Sequence, residues 1–182
     1  MLFLLSPAKT LDENTLPPLA SLDQPALLEH SQVLVDILKE YSSEDIQSLM
    51  KVSERIADLN VERFQNYSTP FTSETAKPAI NLFKGDVYNG LSAYDLPKKS
   101  IEYLQEHLII LSGLYGAIRA LDLIYPYRLE MGTRLENERG KNLYEFWGDI
   151  VTDYVNTLVE ESGAKCIINL ASNEYFKVLN VD

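Results

Sequence analysis

A long helical repeat in this chain runs into a glycine and then into a short apolar run, and few folds accommodate that order. Leu143, Phe146, Trp147, Ile150, Val151, Tyr154, Val155 and Leu158 recur at the three- and four-residue spacing of one helix face, and Asn142 with Glu145 three residues on has the form of a capping box. The repeat stops at Ser162-Gly163, where glycine can take the left-handed conformation that ends a helix. Lys165-Cys166-Ile167-Ile168-Asn169-Leu170 then reads as a strand, and a strand delivered by a helix is the unit of a parallel sheet. Leu2-Phe3-Leu4-Leu5, closed by Ser6-Pro7, is too short for a helix and reads as a buried first strand. The fold class expected is α/β, mixed α+β, with a central sheet and surrounding helices in one domain.

The intervening segments give further expectations. Asp12 to Asp23 is proline-rich and aperiodic, an excursion along the surface. Leu27, Ser31, Leu34 and Leu38, flanked by Leu28 and Val35, predict an amphipathic helix, with Ser43 as N-cap of the next. Leu49, Val52, Ile56 and Leu59 continue the pattern across a break near Ser53. Thr72 or Ser73 is expected to cap a helix toward Phe83, bent or delayed by Pro78. Phe83 to Leu91, with Gly85 and Gly90 either side of Asp86 and Tyr88, reads as a tight turn, without the spacing or the lysine of a phosphate-cradling loop. Ile101, Leu104, Leu108 and Leu111 predict a helix face leading into Ser112-Gly113.

With 182 residues, 46% of them hydrophobic, the chain can bury the core of one domain. A single cysteine, Cys166, excludes an internal disulfide, and its apolar surroundings predict a buried, inert thiol in a reducing, cytoplasmic setting. Leu2–Leu5 has no basic region before it and stops far short of a signal sequence or membrane span, so no membrane association is expected. The net charge of −11 counts against a nucleic-acid partner, whose affinity comes mainly from cations meeting phosphates. Residues 119 to 141 soften that objection: Arg119, Arg128, Arg134, Arg139 and Lys141 stand against Asp122, Glu130, Glu136 and Glu138, so the acidity lies elsewhere. Such a stretch permits an anion site without a broad basic field.

Glycines, tyrosines and arginines crowd together from Leu111 to Arg119 and from Pro126 to Gly132. Arginine offers a fixed fork of donors to phosphate or carboxylate oxygens, and glycine lets backbone approach another molecule. Leu111 to Arg119 is expected to form a helix-hairpin-helix, whose exposed amides at the second helix would attract backbone phosphate, although Gly113 and Gly116 are one residue further apart than the usual pattern. Lys9 and Thr10 lie past the first strand and Asn169 to Ser172 at the end of the last, where open sheets collect ligands.

Ser6-Pro7-Ala8-Lys9-Thr10-Leu11, Phe83 to Tyr88, Leu111 to Arg119, Pro126 to Gly132, Phe146-Trp147-Gly148-Asp149, Asn169-Leu170-Ala171-Ser172 and Glu174-Tyr175-Phe176-Lys177 together resemble the YaaA family of bacterial peroxide-stress proteins, in order along nearly the whole chain. The resemblance implies a compact α/β fold with a helix-hairpin-helix element, double-stranded and related DNA as partner, and a role in limiting oxidative DNA damage when iron and peroxide coexist. Ala120 stands where the family usually carries proline, and the family's further strands and basic tail are expected beyond Asp182.

Carried onto this sequence, the resemblance nominates Lys9, Arg119, Arg128 and Arg134 as phosphate-contacting cations, with Gly113 and Gly116 exposing amides and Glu130 orienting an arginine. The alternative is an enzyme acting on a nucleotide or nucleic-acid base, with Lys9, Asp86, Arg128, Glu130, Asn169 and Ser172 in one pocket. No reaction is identified. His30 and His107 fall on predicted helices and form no triad, and no ligand cluster suggests zinc or iron; neither a cofactor nor an obligate protein partner is inferred.

Overall fold

The apolar runs become the centre of a sheet and the periodic segments become helices around it. The computed structural model describes residues 1–19, 21 and 23–181; Ala20 and Leu22 of the predicted excursion lie outside the described residues, as does Asp182. Strand β1 (Leu2–Leu5) is followed by the two-residue β2 (Thr10–Leu11) and by helices α1 (Leu28–Lys39), α2 (Ser43–Met50) and α3 (Glu54–Asn66). Short pieces come next: β3 (Lys77–Pro78), α4 (Ala79–Leu82), β4 (Phe83–Lys84) and α5 (Asp86–Leu91), before α6 (Lys98–His107). The hairpin of β5 (Leu108–Ser112) and β6 (Gly116–Arg119) leads to β7 (Leu123–Ile124), α7 (Leu143–Trp147), α8 (Ile150–Ser162), β8 (Ile167–Asn169) and α9 (Asn173–Phe176).

The main sheet has the order β6-β5-β1-β8. Strand β1 runs parallel to β5 and β8, and β6 returns antiparallel to β5, which makes the mixed α/β fold the patterning predicted. Every residue of β5 is buried, as expected of a central strand covered on both faces. Helix α1 buries Ser31, Leu34, Val35 and Leu38, the predicted face. Among the described residues no helix is long and apolar enough to cross a membrane.

Several local expectations are corrected. The N-cap of α2 is Ser42, not Ser43: its hydroxyl accepts the Asp45 N–H, and the Asp45 carboxylate accepts the Ser42 N–H in return. The predicted long helix from Leu143 is two, because Gly148 takes φ +46° and closes α7 before α8 begins. No helix runs from Thr72 to Phe83; Pro78, with no N–H for a helix interior, pairs in a two-residue ladder opposite Leu123. Phe83 to Leu91 is a strand and a short helix rather than a turn. Cys166 is exposed, because it precedes β8, an edge strand whose three residues are all exposed.

The largest correction concerns the helix-hairpin-helix. Leu108 and Leu111 belong to a continuous apolar strand, and Leu111 to Arg119 is a β-hairpin with Leu111 opposite Ala117. Its glycines are packed inside. A Cβ on Gly113 would lie 2.3 Å from the Leu129 carbonyl oxygen, and Gly116, at φ +69°, sits against the Trp147 ring. The tyrosines lock this hairpin to the segment after it: the Tyr115 hydroxyl donates to the Tyr125 carbonyl at 3.1 Å, and Ser112 Oγ lies 2.6 Å from the Tyr127 hydroxyl.

Arg119 closes the far end of the hairpin. Its Nε and Nη2 both donate to the Gln105 carbonyl, and its backbone N–H donates to Asp122 at 2.8 Å. Asp122 is only 3% exposed, and burial pushes its carboxyl up from 3.8 to about 7 despite the Arg119 contacts that favour the charged form. The folded state therefore holds a proton that the unfolded chain releases at lower pH.

Gly113→Ala is expected to lower stability by about 2–4 kcal/mol in urea unfolding, since backbone rather than a flexible side chain must yield. Gly90→Ala, in a helix with nothing within 4 Å of the new Cβ, is expected to raise it by about 0.5–1 kcal/mol. The Asp122 contribution should be complete below pH 4 and lost as pH rises through 7, on the order of 2–4 kcal/mol. Asp122→Asn keeps an acceptor for the Arg119 N–H, so its unfolding free energy should lose that downward slope, matching the parent at pH 4 and exceeding it at pH 8.

Candidate functional site

The three parallel strands of the sheet end on one side, and the loops that leave them meet there. Ser6 follows β1 directly, Gly113 follows β5, and Leu170 to Ser172 follow β8. The Ser6 hydroxyl accepts the Ser172 N–H at 2.9 Å and lies 3.4 Å from Ser172 Oγ, so the two outer loops are tied together. Tyr88 on α5 donates its hydroxyl to the Ser6 carbonyl at 2.8 Å and fixes the third side. Between these elements lies a cleft of about 400 Å³ that includes Pro7, Ala8, Asp86, Val87, Leu170 and Ser172 in its walls. Ser172 is the N-cap residue of α9, yet its side chain faces Ser6 instead of capping.

Pro7 and Ala8 also border a smaller recess lined by Lys9, Tyr127, Arg128, Glu130 and Tyr175, so the two hollows adjoin. Glu130 Oε1 accepts from Lys9 Nζ at 3.0 Å and from Arg128 Nη2 at 3.1 Å. Two cations thus share one carboxylate and leave the recess with an excess positive charge. Among the described residues Arg128 spends one of its five N–H donors, on Glu130, and its Nε is buried with no partner. Tyr127 and Tyr175 line the recess with phenols whose pKa burial pushes upward, so both act there as neutral hydrogen-bonding groups rather than acids.

The segment that carries Arg128 is positioned by strict alternation. Tyr127, Leu129, Met131, Thr133 and Leu135 are buried, while Arg128, Glu130, Gly132, Arg134 and Glu136 face outward or sit half-buried. This is strand-like patterning without a ladder, laid over the end of β5 where Gly113 meets Leu129. The segment is pinned further by Gly132, whose N–H donates to Glu174 Oε1 at 2.9 Å.

Of the nominated residues, the structure brings Lys9, Arg128 and Glu130 into the recess and Asp86 and Ser172 into the adjoining cleft. Asn169 stands at the end of β8 and lines neither hollow; its Oδ1 accepts the Ala171 N–H at 2.9 Å and shapes the turn toward Ser172. Arg134 is exposed, outside both hollows, with no ion pair among the described residues. Arg119 lies opposite Ile109, at the other end of the sheet, in a hollow with Glu106 and Glu161. Gly113 and Gly116 expose nothing, being buried. Sequence reasoning missed Ser6, Tyr88, Val87, Leu170 and Tyr175; the signal for Ser6 was its place directly after an apolar strand, matching that of Ser172 after the other.

The family model described as peroxide stress protein YaaA matches residues 1–182. A UPF0246 protein of Shewanella halifaxensis is 54% identical over 179 residues, which cover 98% of this chain and 70% of the relative. Similar relatives are a UPF0246 protein of Shewanella pealeana, 52% identical over 98% of this chain and 70% of its own, and one of Chromobacterium violaceum, 54% identical over 97% and 69%.

Proposed function

This chain belongs to the YaaA peroxide stress protein family, and from that premise we propose that it binds DNA during peroxide stress, holding backbone phosphate at Lys9 and Arg128. The observation that carries this reading is the pair of cations, Lys9 and Arg128, gathered on the single carboxylate of Glu130 at the strand ends where open sheets place their ligands. The binding mode differs from the one read in the sequence, since the hairpin glycines are buried and Arg119 faces the wrong end of the sheet. Phosphate is received by side chains at a recess. Bound DNA would be shielded locally from peroxide chemistry, which connects the contact to the family's stress role.

With a net charge of −11 the chain has no basic field to gather a polyanion, so affinity rests on a small number of phosphate contacts. Two contacts predict that log affinity falls against log salt with a slope of about −2, or roughly tenfold between 50 and 200 mM. Fluorescence anisotropy with a labelled oligonucleotide across a salt series is the test. Lys9→Ala and Arg128→Ala should each weaken binding and reduce the slope by about 1, while Arg119→Ala leaves both unchanged. No binding at 50 mM salt, or equal affinity in the Lys9 and Arg128 variants, overturns the reading.

A further inference from the structure

We propose that the cleft next to the phosphate recess is a nucleobase subsite, so that the preferred ligand is a nucleotide whose base is unpaired, in a single strand or turned out of a duplex. This rests on the DNA reading above for its phosphate and adds what lies beside it. The cleft, at about 400 Å³, falls within the roughly 300–1,000 Å³ of small-molecule sites, room enough for a base turned out of its stack. Its walls are apolar where a flat ring would rest: Val87 on α5 and Leu170 beyond β8 are 56% and 60% exposed, two large apolar side chains turned to solvent at a concave surface. Pro7 and Ala8 continue that surface into the recess of Lys9 and Arg128, so ring and phosphate of one nucleotide have adjoining places.

The polar groups of the cleft set the choice of base. Asp86 has no hydrogen bond or ion pair among the described residues, and an ionised carboxylate accepts two parallel N–H bonds. Guanine presents such a pair, N1–H and N2–H, side by side on its pairing edge; thymine presents one N–H between two carbonyl oxygens that a carboxylate repels. Ser172 can turn its hydroxyl from Ser6, 3.4 Å away, to a ring or sugar oxygen. Guanine is therefore the base the cleft fits best, and it becomes available to Asp86 only when its partner strand is absent or displaced.

The experiment compares three probes at one salt concentration by anisotropy or competition: a G-containing 12-nucleotide single strand, the same strand in a duplex, and its G-to-T counterpart. The expected result is at least tenfold tighter binding of the G-containing single strand than of either other probe, in line with one bidentate contact. Asp86→Asn should cut the preference for G over T below about threefold without changing the salt slope, and Val87→Glu, at an exposed position, should weaken single-strand binding while thermal unfolding stays the same. Equal binding of duplex and single strand with a slope near −2 overturns the base subsite and leaves the DNA reading standing. An undiminished base preference in Asp86→Asn also overturns the subsite. Absence of binding to all three probes overturns both.

Discussion

The close approach of two backbones at Gly113 holds the site together. The Leu129 carbonyl lies where a side chain at residue 113 would begin, and Trp147 donates its indole N–H to the Gly113 carbonyl at 3.0 Å from the other side. Because that contact seats Leu129 on the end of β5, its outward neighbours Arg128 and Glu130 are delivered to the loop that leaves β1. Ser112 and Tyr127 fix the rotation of the same segment through a buried hydroxyl pair. A residue with any side chain at 113 would lift the segment away and separate Arg128 from Lys9, so the buried glycine is a positioning element.

The layout of the sheet was readable in the sequence because it depends on local apolar runs. Leu2–Leu5 and Cys166–Leu170 read as strands from their short apolar runs, although the second proves exposed, and α1 and α8 announce themselves by period. What misled was density of composition. Gly113, Tyr115, Gly116 and Arg119 look like an exposed binding motif, yet each is absorbed by packing: the glycines against Leu129 and Trp147, Tyr115 against Tyr125, Arg119 against Gln105. A sequence shows which residues are chemically able to bind phosphate; whether a hydrogen bond inside the fold has already consumed them is tertiary information. The recess and the cleft were hidden for a related reason, since their walls come from five separate segments, and only the strand ends among those segments carried a positional signal.

Arg119 and Arg128 show what separates a structural from an available cation. Both are half-buried, but Arg119 gives two donors to a backbone carbonyl next to Glu106 and Glu161, and a polyanion arriving there meets two carboxylates. Arg128 gives one donor to a carboxylate that it shares with Lys9. Glu130 holds the two cations side by side on one oxygen, so on the proposed reading an anion that displaces the carboxylate finds them already oriented.

The cleft is closed by two loops that lie far apart in sequence. Its floor is the loop after the first strand and one wall is the loop after the last, joined by the Ser6 and Ser172 contact across 166 positions of sequence. On the proposed reading, the contact between those two loops therefore holds the wall of the cleft beside the recess of Lys9 and Arg128, so that one nucleotide reaches both.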